Sequence, residues 1–136
     1  MKQIYSKDGK TLLHIVSRFS DISERVDIIP ENNFLQLAAL KVSKGKKFRP
    51  HKHIWKKHLT EKTIAQESWV ILEGEVKFYF YDLDDTLLGT EILGRGDTSI
   101  TLQGGHTYEI LKDAVVYEYK TGPYHGVKMD KEFLNE

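Results

Sequence analysis

The sequence predicts an all-β fold, either a closed β-barrel or two facing antiparallel sheets, in a single domain. Its 136 residues match one domain of ordinary size. Runs rich in Val, Ile, Phe and Tyr recur about every 8–12 residues and are separated by turns that contain Gly or Asp. Apolar residues make up 40% of the chain and charged residues 29%, which is enough apolar material for one core.

The N-terminal part predicts strands with one short helical decoration. Residues 4–16, IYSKDGKTLLHIV, suit a hairpin that turns at Asp8-Gly9. The segment SDISER that follows carries a helix-start signal but is too short to make a stable helix. Residues 34–42, FLQLAALKV, predict a mostly buried strand that ends at the turn SKGKK.

The clearest β unit is residues 68–81, SWVILEGEVKFYFY, where two β-rich runs flank Glu73-Gly74 and predict a hairpin-like pair. In the second run Val76, Phe78 and Phe80 alternate with polar or amphipathic residues, so they share one face. The remaining elements predicted are a strand around 87–93, a turn at 94–97, a strand at 98–102, strands at 106–111 and 114–120 separated by a KD turn, and a C-terminal tail that is one helical turn or a frayed end.

Charge and composition narrow the classes of function. Lys plus Arg and Asp plus Glu number 20 each, which argues against general nucleic-acid binding. A local Lys-rich run at 44–57 either attracts a phosphorylated substrate or is simply solvated. We expect no membrane partner and a cytoplasmic location, since no apolar run reaches transmembrane length and the start has no signal-peptide core. The absence of cysteine excludes disulfides and thiolate chemistry, and no P-loop, GxSxG or HExxH motif occurs.

Three of the six histidines cluster at positions 51, 53 and 58. On a strand His51 and His53 would point to the same face, because side chains alternate with a period of two. Two imidazoles on one face are half of a divalent-metal site. The alternative is a pair of surface histidines on an edge strand.

Two further residues strengthen the metal interpretation. Glu67 stands at the start of the next clear strand, and His106 opens a later one directly after Gly104-Gly105. A barrel brings separated strands together, so these side chains can converge with His51 and His53. A shell of imidazoles and one carboxylate suits Fe, Mn, Ni, Co or Zn without identifying which.

The spacing of these residues resembles the motifs of the cupin superfamily of small β-barrels. Its first motif is matched by Gly45, five residues, His51-Lys52-His53, a gap, Glu67, six residues and Gly74, although the gap holds thirteen residues where three or four are usual. Its second motif is matched by Gly96, Leu102, Gly104 and His106, with Leu in place of Pro and one residue fewer before His. The extra residues, the 54–66 insertion, would form a longer loop at the barrel mouth.

The resemblance implies a double-stranded β-helix, a jelly-roll barrel of two antiparallel sheets, with His51, His53, Glu67 and His106 as metal ligands. The whole of 1–136 would be one cupin domain, with N-terminal strands at 1–42 as a dimerisation arm, a motif-bearing barrel at 43–120 and a tail at 121–136. Small cupins of this kind are usually homodimers.

More narrowly, the chain is similar to small cupins associated with bacterial surface-sugar biosynthesis, through PHKH, GGHTYEI and EYKTGPYHG. This implies a metal-dependent enzyme acting on a small polar or sugar-derived substrate, either an isomerase or epimerase or an Fe-dependent oxygenase. The alternatives are a non-catalytic cupin that binds a small molecule or carbohydrate, with a structural or ligand-holding metal, and a partner subunit of a sugar-modifying enzyme.

Several other residues are open to two interpretations. Tyr108 shares a strand face with His106, so it either acts on substrate as a hydrogen-bond donor or acid, or is a packed tyrosine. Arg49, Trp69 and His125 are candidate substrate contacts, against a solvated strand end, core bulk and a loop position. His58 is interpreted as a loop bystander or an alternative ligand, and His14 as structural.

Overall fold

The computed structural model describes residues 1–40, 44, 47–50, 64–121, 128 and 131–134. It confirms that this part of the chain is all-β, with two antiparallel sheets and one short 3₁₀ helix. The elements are β1 (Lys2–Tyr5), β2 (Leu12–Ser17), the 3₁₀ helix (Phe19–Asp21), β3 (Arg25–Asp27), β4 (Ala38–Leu40), β5 (Glu67–Tyr81), β6 (Leu87–Leu93), β7 (Thr98–Thr101) and β8 (His106–Lys120).

The larger sheet has six strands and is organised around β5. Its order is β1-β2-β7-β5-β6, and β8 pairs with the other edge of β5 along nearly the whole strand. The first residues of β5 therefore lie between β7 and β8, and its last residues lie between β6 and β8. The smaller sheet consists of β3 and β4.

The predicted hairpin at Glu73-Gly74 is wrong, because β5 runs through it as one strand from Glu67 to Tyr81. The KD turn at 112–113 is likewise absent, since β8 continues from His106 to Lys120. At these positions the β5–β8 ladder shifts register several times, as β-bulges do. Gly74 adopts φ +89°, a conformation that favours glycine. The Glu73-Gly74 pair, which predicted a hairpin turn, therefore lies at a bend inside one strand.

This bend allows β5 to curl. Phe80 lies thirteen residues beyond Glu67, which would be about 43 Å in a straight strand. His14 on β2 pairs with Thr101, which in turn pairs with Glu67, yet the ring of His14 also lies 5.0 Å from the ring of Phe80. The two ends of β5 therefore approach the same residue, and the sheet is rolled.

Each face of the sheet carries its own apolar cluster. The inner face is filled by Val76, Phe78 and Phe80, as the alternation predicts, together with Val16, Ile71 and Leu93, all of them buried. On the other face Ile15, Ile100 and Leu102 pack against Ile28, Ile29 and the chain around the smaller sheet.

The N-terminal predictions are partly confirmed. β1 and β2 form the hairpin expected around Asp8-Gly9. The strand predicted at 34–42 is shorter in the described residues, where only Ala38–Leu40 forms a strand, and Leu35, Leu37 and Ala39 all pack on the outer cluster. Across the described ranges, no helix has both the length and the apolar character needed to cross a membrane.

Candidate metal centre

A row of register partners crosses four strands and carries the polar centre of the inner face. His14 of β2 pairs with Thr101 of β7, Thr101 pairs with Glu67 of β5, and Glu67 pairs with Lys120 of β8. Residues in register lie side by side on one face of a sheet. The sheet itself therefore places a carboxylate, a hydroxyl and an imidazole next to one another.

His106 joins this row from the opposite end of the β5–β8 ladder. Its register partner is Phe80, whereas Glu67 pairs with Lys120. Because the sheet is rolled, the Oε2 atom of Glu67 nevertheless lies 3.1 Å from the Nε2 atom of His106. Both side chains keep about a fifth of their surface exposed, 22% for Glu67 and 23% for His106, so the pair is reachable from solvent.

The other nitrogen of His106 is held by the row. Its Nδ1 atom lies 2.8 Å from the hydroxyl oxygen of Thr101. The same hydroxyl lies 3.1 Å from Nδ1 of His14, whose Nε2 atom lies 3.0 Å from the carbonyl oxygen of Tyr81. A continuous hydrogen-bonded chain thus runs from the backbone of β5 to the Glu67–His106 pair.

An aromatic stack borders the pair. The rings of Trp69 and Tyr108 are nearly parallel at 3.8 Å between centroids, and Phe78 packs edge-on against both. The indole N–H of Trp69 donates to Glu118 at 2.9 Å. The hydroxyl of Tyr108 lies 3.3 Å from Nε2 and 3.4 Å from Nδ1 of His106.

Burial and charge shift the protonation of three of these groups. Burial opposes ionisation of Glu67, but hydrogen bonds with His106 and Glu118 outweigh it and hold the pKa of the Glu67 carboxyl below its usual range. Burial, reinforced by the charges of Glu67 and Glu118, raises the pKa of the Tyr108 phenol. Burial also lowers the pKa of His14 to about 4, against the opposing hydrogen bond to the Tyr81 carbonyl.

The donor chemistry of Glu67 and His106 fits a divalent cation. At ordinary metal–ligand distances of about 2.1 Å, two ligands on one ion are about 3.0 Å apart at right angles and about 3.4 Å apart in a tetrahedron. The observed 3.1 Å lies within that interval and also matches a charge-assisted hydrogen bond. Metal-binding histidines typically donate their second ring N–H to a neighbouring acceptor, and Thr101 provides one here.

The described residues supply only this half of the predicted site. Within them, no group of three or more His, Asp or Glu side chains is arranged to hold a metal ion. The predicted ligands His51 and His53 lie outside the described residues, as do His58, His125 and most of the 54–66 insertion. Arg49 is described and exposed, in the irregular segment at 47–50.

Three residues of the site were not predicted from the sequence as site residues. Thr101 and Glu118 belong to short alternating runs, TSIT and YEYK, in which nothing distinguishes them from ordinary strand positions. His14 was predicted to be structural, and it is fully buried, but it also contacts the hydroxyl that holds His106. Only the register between strands brings these three to the Glu67–His106 pair.

A separate groove of about 540 Å³ lies near the bend of β5 at Gly74. Its lining residues do not include Glu67 or His106, and they are mostly apolar: Phe19, Ile71, Leu72, Glu73, Arg95, Gly96 and Val115.

Comparisons with protein-family models, with curated proteins and with solved structures found no match for this chain.

Proposed function

We propose that this protein is a metal-binding cupin that acts on a small polar or sugar-derived molecule. The observation that carries the proposal is the contact between Glu67 and His106, which come from opposite ends of a ladder and meet at 3.1 Å. A carboxylate and an oriented imidazole are the ligands that the cupin resemblance assigns to these two positions. His51 and His53 would complete the shell.

The residues beside the pair suit proton handling near such an ion. A hydrogen bond from the Nε2–H of His106 lowers the pKa of Glu67, so the carboxyl is ionised, and an ion that replaced this hydrogen would meet a carboxylate. The phenol of Tyr108 is held protonated, because its pKa is raised, and lies next to His106 as a hydrogen-bond donor. When bound, a divalent metal would polarise a carbonyl or enediolate oxygen of the substrate. We propose isomerase or epimerase chemistry, with Fe-dependent oxygenation as the second possibility.

A non-catalytic role is the alternative, and the aromatic stack favours it. Trp69 and Tyr108 lie face to face at 3.8 Å with Phe78 against their edges, which occupies space beside Glu67 and His106. The 540 Å³ groove is lined by residues elsewhere on the sheet. In this alternative the ion holds a small-molecule or carbohydrate ligand, or supports the structure, and no reaction follows.

Metal stoichiometry tests the proposal directly. We expect the full chain, stripped with a chelator and titrated with Zn²⁺ or Co²⁺, to bind one ion, and Co²⁺ to show the absorption of nitrogen and oxygen ligands. Glu67→Gln and His106→Gln should each weaken binding at least tenfold, and His51→Ala and His53→Ala should do the same.

Glu75→Gln is the matched control, because Glu75 lies on the same strand and pairs with Lys112 away from the site. It should bind metal like the wild type. A wild-type chain without stoichiometric metal, or a His106→Gln variant with unchanged affinity, would overturn the proposal. Product formation in the loaded wild type, tested with sugar and nucleotide-sugar substrates, separates the enzyme from the non-catalytic alternative.

A further inference from the structure

The hydrogen-bonded chain that ends at His106 starts at a backbone carbonyl, which can act only as an acceptor. The carbonyl oxygen of Tyr81 can only accept a hydrogen bond, and it lies 3.0 Å from Nε2 of His14. The Nε2 atom of His14 must therefore carry the hydrogen. His14 has no exposed surface, and burial lowers its pKa to about 4, so at neutral pH the ring carries one hydrogen only.

The assignment at His14 determines the direction of the Thr101 hydroxyl. With its single hydrogen on Nε2, His14 presents a lone pair at Nδ1, which lies 3.1 Å from Oγ1 of Thr101. A lone pair needs a donor, and the hydroxyl of Thr101 has one hydrogen to give. Thr101 therefore donates to His14 and is left with oxygen lone pairs toward its other neighbour.

That neighbour is Nδ1 of His106, at 2.8 Å from the same oxygen. Since the hydrogen of Thr101 is already committed, this contact is a hydrogen bond only if His106 donates from Nδ1. We propose that Thr101 and His14 are positioning residues, which hold neutral His106 as its Nδ1–H tautomer and leave the Nε2 lone pair facing Glu67. The inference deepens the proposed function, and its use in metal binding rests on that function, because a divalent ion binds the bare nitrogen of a neutral imidazole.

The other neighbours of His106 do not select this tautomer. The hydroxyl of Tyr108 is nearly equidistant from both ring nitrogens, at 3.3 and 3.4 Å, and so favours neither. Glu67 lies beside Nε2 as an acceptor and by itself would favour a hydrogen on that nitrogen. The hydrogen bond that lowers the Glu67 pKa needs a hydrogen on Nε2, which neutral His106 with its hydrogen on Nδ1 lacks. In the neutral ring the chain through Thr101 therefore acts against the local preference of the pair. A cation between Nε2 and Glu67, either a proton or a metal ion, would satisfy both side chains.

The turn before β8 packs closely on Tyr81 and His14. Gly104, in the turn between β7 and β8, has φ +84°, and a Cβ atom there would lie 2.5 Å from the carbonyl oxygen of Tyr81 and 3.3 Å from Nε2 of His14. The turn thus packs directly on the first link of the chain. Among the described residues, no buried side-chain nitrogen or oxygen lacks a hydrogen-bond partner.

Nitrogen NMR of the metal-free protein tests the inference. The full chain with ¹⁵N-labelled histidine, treated with chelator and held near pH 8.5, above the ordinary histidine pKa of about 6.5, reports which ring nitrogen carries the hydrogen. We expect His106 of the wild type to be the Nδ1–H tautomer. Thr101→Val removes the acceptor at nearly constant shape and should shift His106 toward Nε2–H, whereas Thr101→Ser should retain Nδ1–H.

Thr98→Val is the control on the same strand, because the Thr98 hydroxyl bonds Ser68 and the Trp69 carbonyl instead of His106. It should leave the His106 tautomer unchanged. A wild-type chain with His106 as Nε2–H overturns the inference without any variant, so the result does not depend on whether Thr101→Val folds. An unchanged tautomer in folded Thr101→Val overturns it too.

A Zn²⁺ titration separates this inference from the proposed function. We expect Thr101→Val to bind Zn²⁺ 10–100-fold more weakly than Thr101→Ser, as is usual for groups that orient a metal-bound histidine. If the wild type shows the Nδ1–H tautomer but binds no Zn²⁺, the tautomer assignment stands and the metal-binding function falls. If Zn²⁺ binds but the tautomer is Nε2–H, the reverse holds.

Discussion

Gly74 of β5 lies directly against the backbone of Asp113 in β8. A Cβ atom on Gly74 would come within 2.2 Å of the Asp113 carbonyl oxygen and 2.7 Å of the Ala114 Cα atom. This close approach occurs in the middle of β5 and β8, where the ladder between the two strands shifts register. The bend in β5, which lets both ends of this strand approach His14, therefore depends on a position without a side chain.

Replacing Gly74 with alanine should destabilise the protein by about 2–4 kcal/mol, from the strain of φ +89° and the backbone contact together. Urea denaturation measures the change. Gly89→Ala is the matched control in the same sheet, since nothing lies within 4 Å of a Cβ there and its φ is not positive, and it should cost less than about 1 kcal/mol. Equal effects at the two positions would contradict the role given to Gly74.

Gly104→Ala should cost more stability than Gly9→Ala. Both glycines have positive φ, +84° and +69°, so both substitutions introduce backbone strain, but only at Gly104 would the new methyl group meet the Tyr81 carbonyl. We expect a difference of about 1–3 kcal/mol in the free energy of unfolding. Similar losses for both variants would mean that the contact with Tyr81 relaxes easily.

His14 should make the protein less stable as the pH falls from about 6.5 to about 4. In this interval the histidine of the unfolded chain, with its ordinary pKa, binds a proton, whereas the buried ring of the native protein stays neutral. The contribution of His14 to the free energy of unfolding is therefore complete above pH 6.5 and is lost as the pH falls to about 4. The expected loss is about 3 kcal/mol.

Urea denaturation across this pH range, compared with His14→Gln, measures the contribution of His14. The variant should lose that part of the slope, while the part due to Glu67 begins at about pH 4.5, where the unfolded carboxyl takes up a proton, and continues to lower pH because the native pKa of Glu67 is lowered. In the native protein the NMR signal of the His14 ring should remain that of a neutral imidazole at pH 5.5. A ring that titrates near pH 6.5 would contradict the prediction.

Tyr108 should resist ionisation in alkali. Burial and the charges of Glu67 and Glu118 raise the pKa of its phenol, so the native protein should keep this hydroxyl protonated at a pH where the denatured chain has lost it. Stability should consequently fall above about pH 10, where only the unfolded tyrosine ionises.

The tyrosinate absorption of the wild type, minus that of Tyr108→Phe, isolates this one of the seven tyrosines. The difference should be absent from the native proteins at pH 10.5 and present in concentrated urea. Ionisation of Tyr108 in the native protein at its ordinary pKa would contradict the burial of this hydroxyl.

The sequence predicted the β content and the buried strand face better than it predicted where one strand ends and the next begins. Alternation identified the buried face of Val76, Phe78 and Phe80, because side-chain period is a local property of a strand. It mistook the bend at Gly74 for a hairpin turn, since glycine serves both purposes and the distinction depends on which strand lies alongside.

The candidate site shows the same limit. Glu67 and His106 were predicted together from the spacing of a family motif, and the structure places them in contact. Thr101, Glu118 and the link through His14 could not be predicted, because they depend on the register between β2, β7, β5 and β8. Register between distant strands is a tertiary property that no local pattern carries.

The row His14–Thr101–Glu67–Lys120 also sets when the site can form. Its members come from the second and the last of the strands described, β2 and β8, with β5 and β7 between them in the chain. On the ribosome β1, β2, β5, β6 and β7 emerge before His106, so the nascent chain holds Glu67 without its partner until β8 has left the exit tunnel. Contacts between such distant residues form slowly, and we therefore expect the centre to assemble among the last steps of folding.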